Sequence, residues 1–309
     1  MLKNSKIYVA GHRGLVGSAI VRALQKQGYR NLLARRRDEL DLTDQKQTTD
    51  FFANEKPEYV FLAAAKVGGI LANDTYPADF VRENLAIQNN VIHEAYTVGV
   101  KKLLFLGSSC VYPKNSPQPI REEYLLTGPL EKTNKAYAIA KIAGIIMCQA
   151  YHKQYGCNFI CAMPTNTYGP NDNFDPETSH VFPGLIRKFH DASKNHEKKV
   201  TLWGDGTPKR EFIHVDDLAS ACVFLMNHYE SPEIINVGTG EDIAISEFAE
   251  MVKKIVGFDG AVAWDANKPN GTLQKVLDVS KLRALKFRHE ISLVEGIKKT
   301  YGWYLENRA

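Results

Sequence analysis

The sequence predicts an α/β fold, in which a doubly wound parallel sheet is joined to a smaller C-terminal α/β lobe. Two observations favour this class: short apolar runs alternate with longer helical patterns, and a glycine cluster follows the first of those runs. Strands that are separated by helices form parallel sheets with helices on both faces. The length of 309 residues exceeds what one hydrophobic core usually serves, which favours two joined lobes.

The alternation of strands and helices extends to about residue 165. The apolar runs are IYVAG, NLLA, YVFLAAA, KKLLFLGSS and NFICAMP, with helices expected from about Leu15 and over residues 45–54, 80–96 and 137–155. Beyond this point the pattern loosens into helices near residues 182–195 and 246–256 and the strand-like segments VTLW, REFIHVDD and EIINVGTG. We therefore assign residues 1–165 to a cofactor domain and residues 166–309 to a substrate lobe, with some exchange of chain between them.

Composition excludes several classes of protein. The chain is 44% hydrophobic and 24% charged, as ordinary globular proteins are, and its net charge of +4 is spread along the sequence. This distribution argues for a small anionic ligand and against a nucleic-acid partner. Five cysteines without a CxxC pair indicate reduced thiols, and no stretch reaches the length of a membrane span, so a cytoplasmic protein is expected.

The glycine cluster follows the first predicted strand and opens the first helix. Glycines at this point let the backbone turn tightly and approach a pyrophosphate, while the helix N-terminus offers unpaired N–H groups. Together with the following βαβ unit, the cluster predicts a Rossmann dinucleotide-binding site. The residues assigned to it are Gly11, His12, Arg13, Gly14, Leu15, Val16 and Gly17.

Arginines after the second predicted strand indicate which dinucleotide is bound. An NAD enzyme commonly has an acidic residue there for the ribose hydroxyls, whereas this chain has Arg35, Arg36 and Arg37. Guanidinium groups bind a 2′-phosphate with paired hydrogen bonds, so the sequence favours NADP, with NADPH as the hydride donor. Arg13 and Arg37 are the expected direct contacts. Asp38, Asp41 and Leu42 are placed beside them, the last two near the adenine.

A tyrosine and a lysine stand four residues apart on a predicted helix. The spacing puts Tyr137 and Lys141 on one helix face, and Ser108 follows the fourth strand at the carboxyl edge of the sheet. Hydride transfer to a ketone requires a proton for the carbonyl oxygen, which a phenol can supply. We expect Lys141 to lower the pKa of Tyr137 and to hold the nicotinamide ribose, and Ser108 to polarise the carbonyl.

These motifs resemble the extended short-chain dehydrogenase/reductases, and within them the GDP-L-fucose synthase family. The resemblance runs nearly end to end. It includes GHRGLVGSA, AAAKVGGI, LGSSCVYPK, YAIAKIAG, PTNTYGPNDNF, SHVFPGLIRKFH, WGDGTPKREFIHVDD and INVGTG. It implies an enzyme that epimerises GDP-4-keto-6-deoxy-D-mannose at C3 and C5 and reduces it at C4 with NADPH, giving GDP-L-fucose.

The resemblance also implies roles for residues that the pattern alone does not single out. It places Cys110 and His180 as the acid/base couple of the epimerisation, whose unperturbed pKa values of about 8.5 and 6.5 bracket neutral pH. It adds to the cofactor site Leu106, Gly107, Ser108, Ser109, Lys141, Pro164, Thr165, Asn166, Thr167 and His180. It assigns to the substrate Lys188, Trp203, Arg210 and Asn270, the last standing where the family usually has an aspartate.

Alternative readings remain. A nucleotide-sugar 4-epimerase has the same fold and Tyr/Lys pair, and a 4,6-dehydratase usually has an Asp-Glu pair where this chain has Ser109 and Cys110. A non-catalytic NADP-binding regulator or an RNA-associated relative is a further alternative, because fold does not fix function. For Asn84 we expect a buried amide, and for Asp216 a helix cap and no metal ligand. The helices over 80–96 and 137–155 are expected to pair in a homodimer.

Overall fold

The structure is a computed structural model that describes residues 1–268 and 270–308. Its strands are β1 (Ile7–Ala10), β2 (Leu32–Leu33), β3 (Tyr59–Leu62), β4 (Lys102–Leu106), β5 (Phe159–Pro164), β6 (Asn166–Tyr168), β7 (Lys199–Trp203), β8 (Lys209–His214), β9 (Ile235–Val237), β10 (Asp242–Ala244), β11 (Ala261–Asp265) and β12 (Gln274–Lys275). Its α-helices are α1 (Leu15–Lys26), α2 (Gln45–Glu55), α3 (Ile70–Thr75), α4 (Pro77–Thr97), α5 (Lys135–Tyr155), α6 (Val181–Lys194), α7 (Val215–His228), α8 (Ile245–Val256), α9 (Ser280–Ala284) and α10 (Leu293–Asn307).

Six parallel strands form the main sheet, in the order β2-β1-β3-β4-β5-β9. The strand order reverses direction at β1, as in a doubly wound sheet, so the predicted fold class is confirmed. The strand predicted from NLLA keeps only Leu32 and Leu33, which pair with Ile7 and Tyr8, because the basic loop follows directly.

The side chains of β1 show how both faces of this sheet are covered. Ile7 and Val9 belong to a core that includes residues of α1 and α7, whereas Tyr8 and Ala10 belong to one that includes residues of α2, α4 and α5. Successive strand residues point to opposite faces, so a fully apolar strand fits a sheet buried on both sides. The carboxyl ends of the strands are thus left to carry the site.

The smaller lobe is built around β8. This strand pairs with β6, β10 and β12, and β7 pairs with β11 as a separate ribbon. Its core packs Phe182, Phe212 and Phe248 against one another, with further residues from α6, α8 and α10. The predicted helices near 182–195 and 246–256 are observed as α6 and α8.

The chain returns to the first sheet after leaving it. Strand β9 pairs with β5, and the core on the α1 face takes Leu218, Cys222 and Leu225 from α7. The main sheet therefore takes one strand, β9, from beyond residue 165. The helix α7, also from beyond residue 165, covers one face of the sheet. Among the residues that the structure describes, no helix is long and apolar enough to span a bilayer.

Candidate active site and cofactor cleft

The loop between β1 and α1 is as tight as its glycines predict. Gly11 has a φ of +82°, and a side chain there would lie 2.8 Å from the backbone of Ala64. A Cβ at Gly17 would collide with the carbonyl oxygen of Gly11, while Gly14 begins the helix without a side-chain cap. The loop therefore presents backbone N–H groups at an open helix N-terminus, which is the geometry that a pyrophosphate requires.

An open pocket lies beside this loop. It is lined by Gly11, His12, Arg13, Gly14, Arg35, Arg36, Arg37 and Asp38. Arg35 is anchored by Glu55 at 2.7 Å, and Arg36 pairs with Asp38 and Glu39. Arg37 reaches Glu83 at 3.4 Å but stays 72% exposed, and Arg13 is exposed as well. The structure thus brings the two arginines expected to contact a 2′-phosphate to one pocket.

Two further features bear on cofactor binding. The Nδ1 atom of His12 is buried without a partner in the described part of the chain, so it is available to a ligand. The carboxylate of Asp41 already accepts hydrogen bonds from the backbone and hydroxyl of Thr43, and Leu42 is buried. These contacts make Asp41 and Leu42 part of the turn that leads into α2.

Ser108, Tyr137 and Lys141 converge at the carboxyl end of β4. Lys141 is buried and donates from Nζ to the carbonyl oxygen of Leu106 at 2.8 Å, and its Nζ lies 5.9 Å from the centre of the Tyr137 ring. Burial lowers the pKa of Lys141 to about 8. Ser108 hydrogen-bonds to Tyr137, and its Oγ also accepts from the backbone N–H of Cys110 at 3.2 Å.

The predicted direction of the Tyr137 pKa is wrong. Burial raises the pKa of Tyr137, the neighbouring Cys110 raises it further, and the Ser108 hydrogen bond lowers it by less. Lys141 does not lower it, because its ammonium is turned toward the Leu106 carbonyl. The phenol accordingly keeps its proton at neutral pH, which makes it a hydrogen-bond donor.

Cys110 and His180 come together around a lysine. Cys110 is half-buried, and the Nζ of Lys275 lies 3.6 Å from its Sγ. His180 is the N-cap residue of α6, but its side chain makes no capping hydrogen bond. The pKa of His180 is lowered, first by the protein atoms around it and then by the charge of Lys275. Lys275 thus lies near both Cys110 and His180, which are 70 positions apart in the sequence.

The residues assigned to the substrate lie on the smaller lobe. Arg210 stands on β8 opposite Lys275, and burial lowers its pKa while the nearby Cys110 acts to raise it. Trp203 ends β7 with 57% of its surface exposed, and Asn270 accepts from the backbone N–H of Asp205 at 2.9 Å. Lys188 is on α6, about two turns beyond its start, and its surroundings lower its pKa.

Residues 164–167 run from the last residue of β5 into β6, at the carboxyl edge of the main sheet. Thr165 donates its backbone N–H to Val237, and both its hydroxyl and the amide of Asn166 reach the carbonyl oxygen of Glu211. Gly107 and Ser109 follow β4, which is the parallel neighbour of β5 in the main sheet. The residues assigned to the nicotinamide end therefore share one edge.

Asn84 and His214 have structural contacts. Asn84 is buried, accepts from the backbone N–H of Lys66 and donates to Phe80, and so holds the loop after β3. The predicted cap at Asp216 is wrong: His214 caps α7 by accepting from the backbone N–H of Asp216, whose carboxylate instead pairs with Arg22. Within residues 1–268 and 270–308, no three His, Cys, Asp or Glu side chains are grouped to hold a metal ion.

Sequence reasoning missed Lys275 and Glu211. Lys275 lies on a two-residue strand whose letters carry no recognisable pattern, and only pairing with β8 brings it to Cys110. Glu211 follows Arg210 and is fully buried. The one available signal for Glu211 was its position inside an apolar strand, where a buried carboxylate needs hydrogen-bond donors.

Comparison with known families decides the relationship. Residues 7–238 match the family described as the NAD dependent epimerase/dehydratase family. The chain belongs to this family. The resemblance recognised in the sequence is thus confirmed, and the family accounts for the glycine loop and the parallel sheet.

Individual relatives in the family extend over the whole chain. A putative GDP-L-fucose synthase 2 of Arabidopsis thaliana is 63% identical over 305 residues, covering 99% of this chain and 93% of that protein. The structure of a GDP-L-fucose synthetase from Naegleria fowleri bound to NADP superposes with a TM-score of 0.92 at 30% identity, covering 99% of this chain and 96% of that one. A GDP-6-OMe-4-keto-L-xylo-heptose reductase from C. jejuni reaches 0.95 at 42%, covering 100% and 99%.

Proposed function

We propose that the protein is a GDP-L-fucose synthase, which uses NADPH to epimerise GDP-4-keto-6-deoxy-D-mannose at C3 and C5 and to reduce it at C4. The relative from Arabidopsis thaliana supports this assignment over almost the full chain. The observation that carries it is the junction of two acid/base sets in one cleft. The side chains of Ser108, Tyr137 and Lys141 meet at the end of β4 beside Cys110, and Lys275 lies near both Cys110 and His180.

We propose that the residues fit NADP at the glycine loop. The close backbone approach at Gly11 and Gly17, the unpartnered Nδ1 of His12 and the exposed Arg13 and Arg37 suit a pyrophosphate and a 2′-phosphate. NADPH supplies the hydride that reaches C4 of the sugar. The ammonium of Lys141 donates one hydrogen bond to the Leu106 carbonyl, and its other N–H groups can hydrogen-bond the nicotinamide ribose.

Epimerisation requires that a proton leave one face of a carbon next to the ketone and another arrive on the opposite face. In the proposed mechanism the Cys110 thiolate removes the proton from carbon, and the electron pair moves to the C4 oxygen. Tyr137 and Ser108 donate hydrogen bonds to the resulting enolate oxygen. His180, protonated, returns a proton on the opposite face and restores the ketone. The same sequence serves C3 and C5.

Reduction uses the same hydrogen bonds from Tyr137 and Ser108 to the C4 oxygen. Because burial raises its pKa, Tyr137 still carries its proton when negative charge builds on that oxygen, and it passes the proton to the alkoxide. Ser108 keeps the oxygen in place and can relay a proton. One oxygen site therefore serves all three chemical steps, and the substrate does not need to leave between them.

The smaller lobe is proposed to hold the diphosphate and the base. Arg210 and Lys188 are cations at the cleft whose surroundings lower their pKa values, so they gain from an anionic partner. The exposed ring of Trp203 suits contact with a guanine or sugar face. Asn270 is held to the backbone of Asp205, so its amide shapes the loop that carries this contact.

A homodimer in the cytoplasm is also proposed. Helices α4 and α5 expose apolar and aromatic side chains, including Tyr96, Ile139, Ile146 and Tyr155. Tyr96 stacks on Tyr155 at 4.4 Å, which makes one continuous face across both helices. A two-fold pairing of this face would bury it. All five cysteines are free, as a reducing compartment requires.

The assay that tests this function follows NADPH at 340 nm with GDP-4-keto-6-deoxy-D-mannose in deuterated water, and then identifies the sugar product. We expect GDP-L-fucose with solvent deuterium at C3 and C5. An unlabelled 4-reduced sugar would instead indicate a reductase without epimerisation, as the 42% identity with a GDP-heptose reductase also allows. Label without NADPH oxidation would indicate an epimerase, and a flat absorbance without label a non-catalytic protein.

A further inference from the structure

We propose that Lys275 is a positioning residue for the epimerisation, which holds Cys110 as a thiolate and so makes it the base of the Cys110/His180 couple. The inference rests on the proposed function, because it names the residue that sets the charge of one of its groups. It goes beyond that function by adding a residue from a different part of the chain.

The first observation is the contact itself. Lys275 Nζ lies 3.6 Å from Cys110 Sγ, within the range of an N–H···S hydrogen bond. An ammonium at this distance favours the negative thiolate over the neutral thiol. The thiolate, and not the thiol, can accept a proton from carbon. Lys275 therefore supplies the charge that the base needs.

The second observation is that the cation is held in place. Strand β12 pairs with β8, which sets Lys275 opposite Arg210. On the other side, Ile120 donates its backbone N–H to the carbonyl oxygen of Val276, and Val276 donates to the side chain of Gln118. Gln118 and Ile120 belong to the loop that follows Cys110. Both neighbours of this short strand thus fix the lysine relative to the thiol.

A buried carboxylate anchors the end of the same strand. Glu211 accepts backbone N–H groups from Leu277 at 2.8 Å, from Gly240 at 2.8 Å and from Thr239 at 2.6 Å. These donors come from two separate loops. A fully buried glutamate with several backbone donors is costly to disturb, so it ties β12 to the loop after β9. The position of Lys275 is therefore determined by the fold.

The same cation distinguishes Cys110 from His180. Its charge favours the thiolate of Cys110 and contributes to the lowered pKa of His180, which makes the imidazolium a stronger acid. The charged or titratable groups facing Cys110 are Lys275 from β12, Arg210 from β8 and Tyr137 from α5. Lys275 is the one of these three that donates a hydrogen bond to the sulfur in the described structure.

Proton and electron balance follow from this assignment. The thiolate takes the proton from carbon and becomes a thiol, while the C–H electron pair becomes the enolate. Imidazolium His180 gives its proton to the opposite face of that carbon and becomes neutral. Release of one proton to solvent resets the thiol to a thiolate beside Lys275, and uptake of one proton from solvent resets His180. No oxidant or reductant is consumed in these steps.

The test compares Lys275→Met with Lys275→Arg and measures the reaction of Cys110 with iodoacetamide from pH 5 to 10 by peptide mass spectrometry. No sugar is needed. Without the cation, we expect alkylation of Cys110 at pH 7 to fall about tenfold, because the sulfur loses the positive charge and the N–H donor that favour the reactive thiolate. Lys275→Arg should stay within about threefold of the wild type, since it retains the charge. Cys157, which is also partly exposed, is the internal control.

A second readout links the charge to the reaction. In deuterated water, Lys275→Met should lose most of the label at C3 and C5, and Lys275→Arg should recover much of it. Unchanged alkylation of Cys110 in a folded Lys275→Met protein would overturn the inference, even if the KM for the sugar rose, because Lys275 would then only bind the diphosphate. A wild type that shows the alkylation profile but does not act on the keto sugar would defeat the proposed function alone.

Discussion

The cofactor side and the sugar side of the cleft are built in different ways. The cofactor side comes mainly from two loops, residues 11–17 and 35–38, which follow adjacent strands of one parallel sheet. The sugar side takes Cys110, His180, Arg210 and Lys275 from segments that only tertiary pairing brings together. The comparison teaches that nucleotide binding depends on local backbone geometry, whereas the proton chemistry depends on long-range assembly.

The largest effect is expected for Tyr137, which serves both the hydride transfer from the cofactor and the proton chemistry on the sugar. Tyr137→Phe removes the hydroxyl that serves both epimerisation and reduction, so NADPH oxidation with the keto sugar should fall by about 10⁴-fold, the upper range for a lost acid/base group. Binding of NADPH, followed by fluorescence titration, should remain near that of the wild type. Tyr229→Phe removes a phenol that donates to the backbone carbonyl of Glu233 and should stay active. Retained turnover in Tyr137→Phe would remove the phenol from the mechanism.

The next largest effect is expected for Cys110→Ser, which should impair epimerisation on the sugar side more than reduction by the cofactor. Cys110→Ser should lower solvent-deuterium incorporation at C3 and C5 by about 10³-fold, because a serine hydroxyl is a far weaker base than a thiolate. Some C4 reduction should persist, since Ser108 and Tyr137 are intact. Cys157→Ser is the matched control, with a partly exposed thiol outside the cleft. Normal GDP-L-fucose formation by Cys110→Ser would show that the couple is not needed.

The pH dependence of the free energy of unfolding tests whether Lys141 is buried as a charged group. Its pKa is lowered from 10.5 to about 8 by burial, so the folded protein binds this proton less tightly than the unfolded chain does. Below pH 8 Lys141 is charged in both the folded and the unfolded state, so the full free-energy cost of burying its ammonium is present. Between pH 8 and 10.5 the unfolded state binds more protons than the folded state, and this cost disappears as the pH rises. A shift of this size corresponds to about 3 kcal/mol.

The check is urea unfolding of the wild type and Lys141→Met between pH 7 and 10.5. The free energy of unfolding of the wild type should rise relative to the variant by about 3 kcal/mol across that window. Lys299→Met, which removes an exposed pair with Glu295, should show no such relative rise. A flat difference between wild type and Lys141→Met would mean that Lys141 is not buried as a charge.

The smallest expected effect concerns the cofactor side alone. Arg13→Ala should raise the KM for NADPH by about 10- to 50-fold, the loss expected for one or two charge-assisted hydrogen bonds to a phosphate. The KM for NADH should change little, because NADH lacks that phosphate. Arg30→Ala is the control, since Arg30 is exposed away from the pocket. Equal losses with both dinucleotides would assign Arg13 to the pyrophosphate.

The extent of sequence prediction follows the same division. The glycine loop, the helix with Tyr137 and Lys141 and the order of the first strands could be predicted because each is a local pattern with its own chemistry. Cys110 and His180 were reached only through family resemblance, since no spacing rule relates two residues on different loops. Lys275 and Glu211 were missed, because their roles depend on which strands pair with β8.

The errors have physical causes as well. The predicted decrease in the pKa of Tyr137 was wrong because helix spacing determines only that Lys141 and Tyr137 share a helix face. It does not determine where the flexible lysine side chain ends, and the ammonium of Lys141 reaches the Leu106 carbonyl. The cap at Asp216 failed because the backbone before α7 is extended at His214, whose ring nitrogen takes the role. In the first case a backbone carbonyl bound the side chain, and in the second the His214 ring took the capping role while Asp216 paired with Arg22.

The return of the chain to its first sheet has a consequence for biosynthesis. A ribosome releases the β1 loop and the arginines early, but the face of α1 that carries Ile20 and Leu24 stays uncovered until α7 emerges, and β5 keeps an open edge until β9 does. The nascent chain therefore carries a nucleotide loop long before it has a closed core. A chaperone or the growing chain itself must shield that edge meanwhile, and a fragment that stops at residue 165 would be prone to aggregation.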